Sequence, residues 1–234
     1  MQLANWRWSW RAMVVLGIAA PTLSIAVLSR LVENRSGALA TALLTGNLVL
    51  ALMLENQNKV ASHFAYMRIT NALTYYATLP IRQGLLIVAT ALAFFLLSIP
   101  AFIVTSIVGS ALLDVSLHPS PLLLIVTPLI AISLAGIGAV IGTSARTLEE
   151  ASSLTLLLNL VLLAAGPVII PESRLPDVAV AAGHINPAAY AASALQQSLV
   201  GPVTTDLIVD ICVLTSVASI TLVFAAYQLK RRMR

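Results

Sequence analysis

Six stretches of this chain are apolar for 17 to 24 residues at a time: residues 12–31, 38–54, 85–108, 121–142, 151–170 and 207–229. A helix needs roughly 20 apolar residues to cross the ~30 Å hydrocarbon core of a bilayer. In lipid every backbone N–H and C=O needs an internal partner, so spanning segments are helices or closed barrels. Runs of this length fit helices. The chain therefore reads as an all-α integral membrane protein with six transmembrane helices, forming one domain over residues 1–234. Composition agrees: 59% of the residues are hydrophobic and 9% are charged, against about a quarter charged in soluble domains.

The segments between the runs are short, with two exceptions. Between the second and third runs, residues 55–83 form the longest polar interval before residue 171. Within it Tyr66, Ile69, Leu73 and Tyr76 recur at helical spacing, with Arg68, Thr70, Asn71 and Thr74 elsewhere around the helix. That pattern predicts an amphipathic helix over about 60–79, lying at the membrane surface and ended by Pro80. The second exception follows Gly166-Pro167. Leu175, Val178, Ala182 and Ile185 make one apolar stripe, and Ala191, Leu195 and Leu199 make another, with Ser193, Gln196 and Gln197 opposite. Asn186-Pro187 is a favourable helix start and Gly201-Pro202 a favourable stop. Two short amphipathic helices, about 174–185 and 187–200, are predicted in one membrane face.

Six spans place both termini on one side. That side carries Arg7, Arg11, Lys59, Arg68, Arg82, Arg146, Lys230, Arg231, Arg232 and Arg234, and the other only Arg30, Arg35 and Arg174. Basic residues concentrate on the cytoplasmic side, so both termini are expected in the cytoplasm. The net charge of +4 then reflects orientation beside lipid, and no nucleic-acid partner is expected. Ahead of the first run, Trp6, Trp8 and Trp10 alternate with Arg7 and Arg11. Indoles at headgroup level with guanidiniums in water make an interfacial anchor. The apolar run behind them is long for a signal peptide and lacks a clear cleavage site, so retention is expected.

Much chemistry is excluded. The only lysines are Lys59 and Lys230, neither preceded by glycine, so no P-loop can form. Gly136, Gly138 and Gly142 lie inside a span, where small residues serve helix packing rather than a nucleotide. Ala38, Ala42 and Gly46 make a similar smooth stripe. His63, His118 and His184 are far apart and form no metal motif, and the lone Cys212 reads as a small apolar filler. Glu149-Glu150 suits a helix N-terminus. Asn47 and Asn159 fall near the middle of their spans, where they either bond across helices or line a path for substrate. Asp210, one turn inside the sixth span, is expected to reach the interface.

This order of elements resembles the permease subunits of ABC exporters of the ABC-2 type. Two stretches carry the resemblance. One is Tyr75-Tyr76-Ala77-Thr78-Leu79-Pro80-Ile81-Arg82, similar to that family's entry into its third span. The other runs from Gly142-Thr143-Ser144-Ala145-Arg146-Thr147 through Gly166-Pro167, Pro171, Leu175-Pro176, Asn186-Pro187 and Gly201. The acidic, Gly-containing run usual before the family's coupling helix is reduced here to Glu55 in Glu55-Asn56-Gln57-Asn58-Lys59. The resemblance implies a coupling helix that docks on a separate ABC ATPase through Tyr66, Arg68, Ile69, Leu73, Tyr76 and Arg82. It implies that ATP and Mg bind in that ATPase and not in this chain, which would not be an enzyme. It also implies a second permease copy or a related permease, membrane lipid and an amphiphilic substrate as partners. Pro171, Leu175, Pro176, Asn186, Pro187 and Tyr190 would form an external gate. The expected role is ATP-driven export of an amphiphilic or apolar compound, a drug, antibiotic or lipid-like molecule, across the plasma or inner membrane. The alternatives are a coupling helix that simply floats at the lipid surface, and a membrane scaffold whose external helices bind a partner.

Overall fold

The computed structural model describes residues 19, 22–27, 37–72, 76 and 83–232. These are helical apart from turns and connecting loops. Four helices are long and apolar enough to cross a membrane: Ala38–Ile69, Gly84–Leu113, Leu123–Ser144 and Asp206–Arg231. The first predicted span falls mostly outside the described residues, as do Trp6, Arg7, Trp8, Trp10 and Arg11. Ile25 is described, and it is buried in the main core beside Leu44.

Helix α1 is the continuous Ala38–Ile69. It overturns the expected break between a span ending at 54 and a surface helix starting at 60. No Gly or Pro occurs from residue 47 to 79, so nothing in the chain stops the helix. Instead the polar run is accommodated by a π turn, Met53–Gln57, where the Asn58 N–H donates to Met53 O. One extra residue in the turn re-phases the two halves. Residues Val60, Ala61, Phe64, Ala65 and Met67 are consequently buried. The helix ends in a turn with Asn71 at φ 55. Thirty-two residues at ~1.5 Å each give a rod of roughly 48 Å, about 18 Å longer than a bilayer core.

Helices α2 (Gln83–Leu113) and α3 (Leu123–Ser144) follow, with Pro100 and Pro128 inside them. α4 is Leu148–Ala164. Thr147 caps it, its Oγ1 accepting from the Glu150 N–H at 3.1 Å, while Glu150 accepts from the Arg146 N–H at 2.7 Å. This is close to a capping box. α4 corrects the predicted fifth span, 151–170. It stops at Ala164, because Gly166 takes φ 154 and Pro167 follows. Its 17 residues reach only about 25 Å.

After a short 3-10 turn, Glu172–Arg174, come α5 (Asp177–Gly183), α6 (Pro187–Leu199) and α7 (Asp206–Arg232). α6 departs from expectation. It is not laid on a membrane face: Ala188, Ala189, Ala191, Ala192, Ala194, Leu195, Ser198 and Leu199 are buried. Its small side chains let it enter the core beside α1, α3 and α7. The loop before α3 is tied to its end, the His118 and Ser120 N–H groups donating to Leu199 O and Ser198 O at 2.9 and 2.8 Å.

Helices touch most closely where glycines stand. A Cβ on Gly142 would lie 2.9 Å from both Ala61 C and Ala61 Cα, and one on Gly138 would lie 3.1 Å from Gln57 C. α3 therefore lies directly against the backbone of α1. Gly46 does not serve helix–helix packing as expected. It admits the irregular segment 166–170, whose Ile169 Cα would be 2.8 Å from a Cβ there.

Candidate functional site

The inner face of α1 carries Asn56 and Gln57 on the π turn, both fully buried. Asn56 Nδ2 donates to Ala131 O of α3 at 2.9 Å. Its Oδ1, and both amide atoms of Gln57, have no partner among the described residues. Glu55 and Lys59 form an ion pair one turn apart on the same helix. Buried amides without partners are costly, and π turns concentrate at functional sites. The sequence showed this segment only as a polar interval; the signal available was five polar residues with no helix breaker.

Beyond the π turn, α1 runs on to the end of the bundle that also holds the α3–α4 turn. There Arg68 donates to Ser144 O at 2.8 Å and to Ala145 O. Its guanidinium thus satisfies carbonyls at the C-terminus of α3, where cations are favoured. Tyr66 and Ile69 point outward and are 58% and 51% exposed. Tyr76 instead packs against the cluster of Val60, Phe64, Met67 and Ile87. Leu73 and Arg82 lie outside the described residues. Of the predicted stripe, Tyr66 and Ile69 come together with Arg68 at one helix end, while Tyr76 does not join that exposed patch.

Among the described residues the mid-span asparagines form no bond across helices. Asn47 Nδ2 donates to Leu43 O of its own helix at 2.8 Å and its Oδ1 has no described partner. Asn159 is buried with both amide atoms unpartnered among the described residues. Asn56, which was not singled out, makes the interhelical bond.

At the other end of the bundle Asn186 organises the predicted gate region. Its Oδ1 accepts from the Ala188 N–H at 2.9 Å, capping α6. Its Nδ2 donates to Leu162 O and Ala165 O at 2.5 and 3.0 Å, closing the free carbonyls of α4. Pro187 occupies the first turn of α6. Tyr190 donates to His184 O at 2.8 Å. Pro171 and Leu175 are half-buried and Pro176 exposed. Val178 of α5 and Ile185, in the turn after it, are exposed.

Asp210 also departs from expectation. It does not reach out from α7 but is 4% exposed. Ser193 and Gln197 of α6, expected to face water, donate to its Oδ2 at 2.7 and 3.1 Å.

A buried helical bundle whose α1 outreaches a bilayer core suits a transporter subunit, and comparison with protein families decides the matter. The model of the ABC-2 type transporter family matches residues 3–200. The chain belongs to that family. No curated protein matches it. An ABC-2 type transporter chain of this kind is the membrane permease, a non-catalytic subunit that works with an ABC ATPase. The match takes in α1 to α6, including the π turn, the exposed end of α1 and the Asn186 region.

Proposed function

We propose that this ABC-2 type permease exports an amphiphilic or apolar compound, driven by a separate ABC ATPase that contacts the Tyr66–Ile69 end of α1. The observation that carries the reading is the reach of α1. A helix about 18 Å longer than the hydrocarbon core stands clear of lipid at one end, and that end presents Tyr66 and Ile69. Apolar side chains there fit a groove on a partner. Arg68 ties the same end to α3, so a push on it is carried to the α3–α4 turn. The proposed docking contact takes in Leu73 and Arg82 as well, with the Trp6–Arg11 segment as a secondary contact. The cytoplasm lies at this end, with both chain termini in it, and the membrane is the plasma or inner membrane. A second permease copy, or a related permease, completes the path. Asn186, Pro187 and Tyr190 with Pro171, Leu175 and Pro176 shape its outer exit, and Asn47 and Asn159 offer polar groups along the way.

Val178 of α5 and Ile185 just after it, both exposed, support a second reading, a membrane scaffold that binds a partner at its outer face. The readings separate in proteoliposomes containing the chain and its co-purifying ATPase. Export predicts ATP-dependent movement of a fluorescent amphiphile, and lower ATPase turnover in Arg68→Ala and Leu73→Ala. Turnover unaffected by both changes refutes docking at this end. ATP hydrolysis with no movement of any amphiphile favours the scaffold.

A further inference from the structure

We propose that Asp210, clamped between α6 and α7, is a binding site for the protonated amine of a cationic amphiphile; the inference rests on the export reading. An ionised carboxylate withdrawn from water needs a counter-charge or costs several kcal/mol. Asp210 is 4% exposed, yet among the described residues no basic side chain pairs with it, the ion pair there being Glu55–Lys59. Its two oxygens are treated differently. Oδ2 accepts from Ser193 Oγ at 2.7 Å and from Gln197 Nε2 at 3.1 Å. Oδ1 has no hydrogen bond among the described residues, and it is not sealed from solvent as the orphaned amides of Gln57 and Asn159 are.

The clamp is itself braced. Gln197 Oε1 accepts from the Thr204 N–H at 3.2 Å and from Thr204 Oγ1 at 2.7 Å. Gln197 Nε2 also donates to Ser193 Oγ at 3.2 Å. These bonds hold the carboxylate with one oxygen occupied and the other presented. If the purpose were only to join two helices, a neutral side chain would accept the same two bonds without burying a charge. A site with one free carboxylate oxygen and no cation of its own takes an ammonium, which supplies both charge and N–H donors. Val209, next to Asp210 on α7, and Val203, next to the bracing Thr204, are exposed, so an alkyl or aromatic body has apolar surface to lie on. The substrate class is therefore a lipid-soluble amine.

The test uses the chain with its ATPase in nanodiscs and two probes, a dansyl alkylamine, cationic at pH 7, and its neutral N-acetyl derivative. Fluorescence anisotropy without ATP is expected to show the amine binding about tenfold more tightly than the acetyl form, the scale of one charge-assisted hydrogen bond. Asp210→Asn keeps an acceptor for Ser193 and Gln197, and is expected to abolish that preference while leaving acetyl-probe binding unchanged. A preference that survives Asp210→Asn, or none in the parent protein, overturns the proposal. Should Asp210→Asn fail to fold, the parent protein suffices. Labelling of Asp210 by dicyclohexylcarbodiimide, read by mass spectrometry, is expected to slow about fivefold with the amine and not with the acetyl probe. Rapid labelling that the amine does not slow means that a proton occupies the carboxyl, and overturns the amine site. Because neither readout needs ATP, loss of ATPase stimulation with the amine preference intact would refute export and leave the site standing.

Discussion

Gly142 offers the sharpest test of how the bundle is packed. Its Gly142→Ala variant drives a methyl into Ala61 O and places it 2.9 Å from Ala61 C and Cα, where carbon atoms in good contact stand about 3.5–4.0 Å apart. About 0.6 Å or more must be found, and the obstacle is main chain, so α1 or α3 has to move as a body. Overpacking of this sort costs about 1–3 kcal/mol. Against it, alanine is the better helix former by about 1 kcal/mol, so Gly142→Ala alone loses up to about 2 kcal/mol. Adding Gly138→Ala, one turn away and 3.1 Å from Gln57 C, presses on the same face of α1 with the same balance of overpacking and propensity, so the pair loses up to about 4 kcal/mol. Gly84→Ala is the internal control. Nothing lies within 4 Å of a Cβ there, and the residue is helical, so it should gain about 0.5–1 kcal/mol from propensity alone. Size-exclusion chromatography after heating in detergent gives an operational midpoint for each variant. The double variant should fall by about 5–10 °C and Gly84→Ala should rise by a degree or more. A double variant that melts at or above the parent would mean that α1 and α3 do not touch as described.

Two further changes probe the polar interior. Asn186→Ala removes the cap of α6 and two bonds to α4 and should cost about 2–3 kcal/mol; Asn186→Asp, which keeps the cap but faces carbonyls with a carboxylate, should be no better, and its melting midpoint checks this. Gln57→Leu replaces an amide that has no described partner with an apolar group of similar volume, and should raise the midpoint by the equivalent of about 1–2 kcal/mol. A lower midpoint for Gln57→Leu would show that the amide is paired in the membrane.

What could be read from the chain follows from what each signal measures. Apolar runs report the medium, and they located the helices that became α2, α3 and α7. Local capping chemistry is also legible, as Asn186-Pro187 and Thr147 with Glu150 illustrate, because those bonds form within a few residues. The misreadings share one cause. Amphipathic spacing says that two faces differ, not what each face meets. For α6 the polar face was assigned to water, whereas Ser193 and Gln197 meet Asp210. For residues 60–69 the spacing marks Tyr66 and Ile69 as the apolar face of a surface helix, whereas it is Val60, Phe64 and Met67 that meet the rest of the bundle. The missing glycine or proline before residue 80 was visible evidence of a continuous α1, and it outweighs a run of polar residues that a π turn can absorb. The end of α4 was also written in the sequence, since Gly166-Pro167 could not continue a helix to 170. Partnerless amides such as Gln57 leave no trace in sequence, because their meaning depends on which neighbour fails to appear.

The length of α1 has a mechanical corollary. Gly46, against which residues 166–170 rest, stands about 12 Å from one tip of the rod, and Ile69 marks the other tip about 35 Å further on. Given the proposed docking at the Ile69 end, a fulcrum between the two points would make this member a see-saw, force at the long arm emerging at the short one, reversed in direction. The π turn is the joint at which this beam would flex first, and its stiffness would then set how much of a stroke delivered at one surface of the membrane is felt at the other.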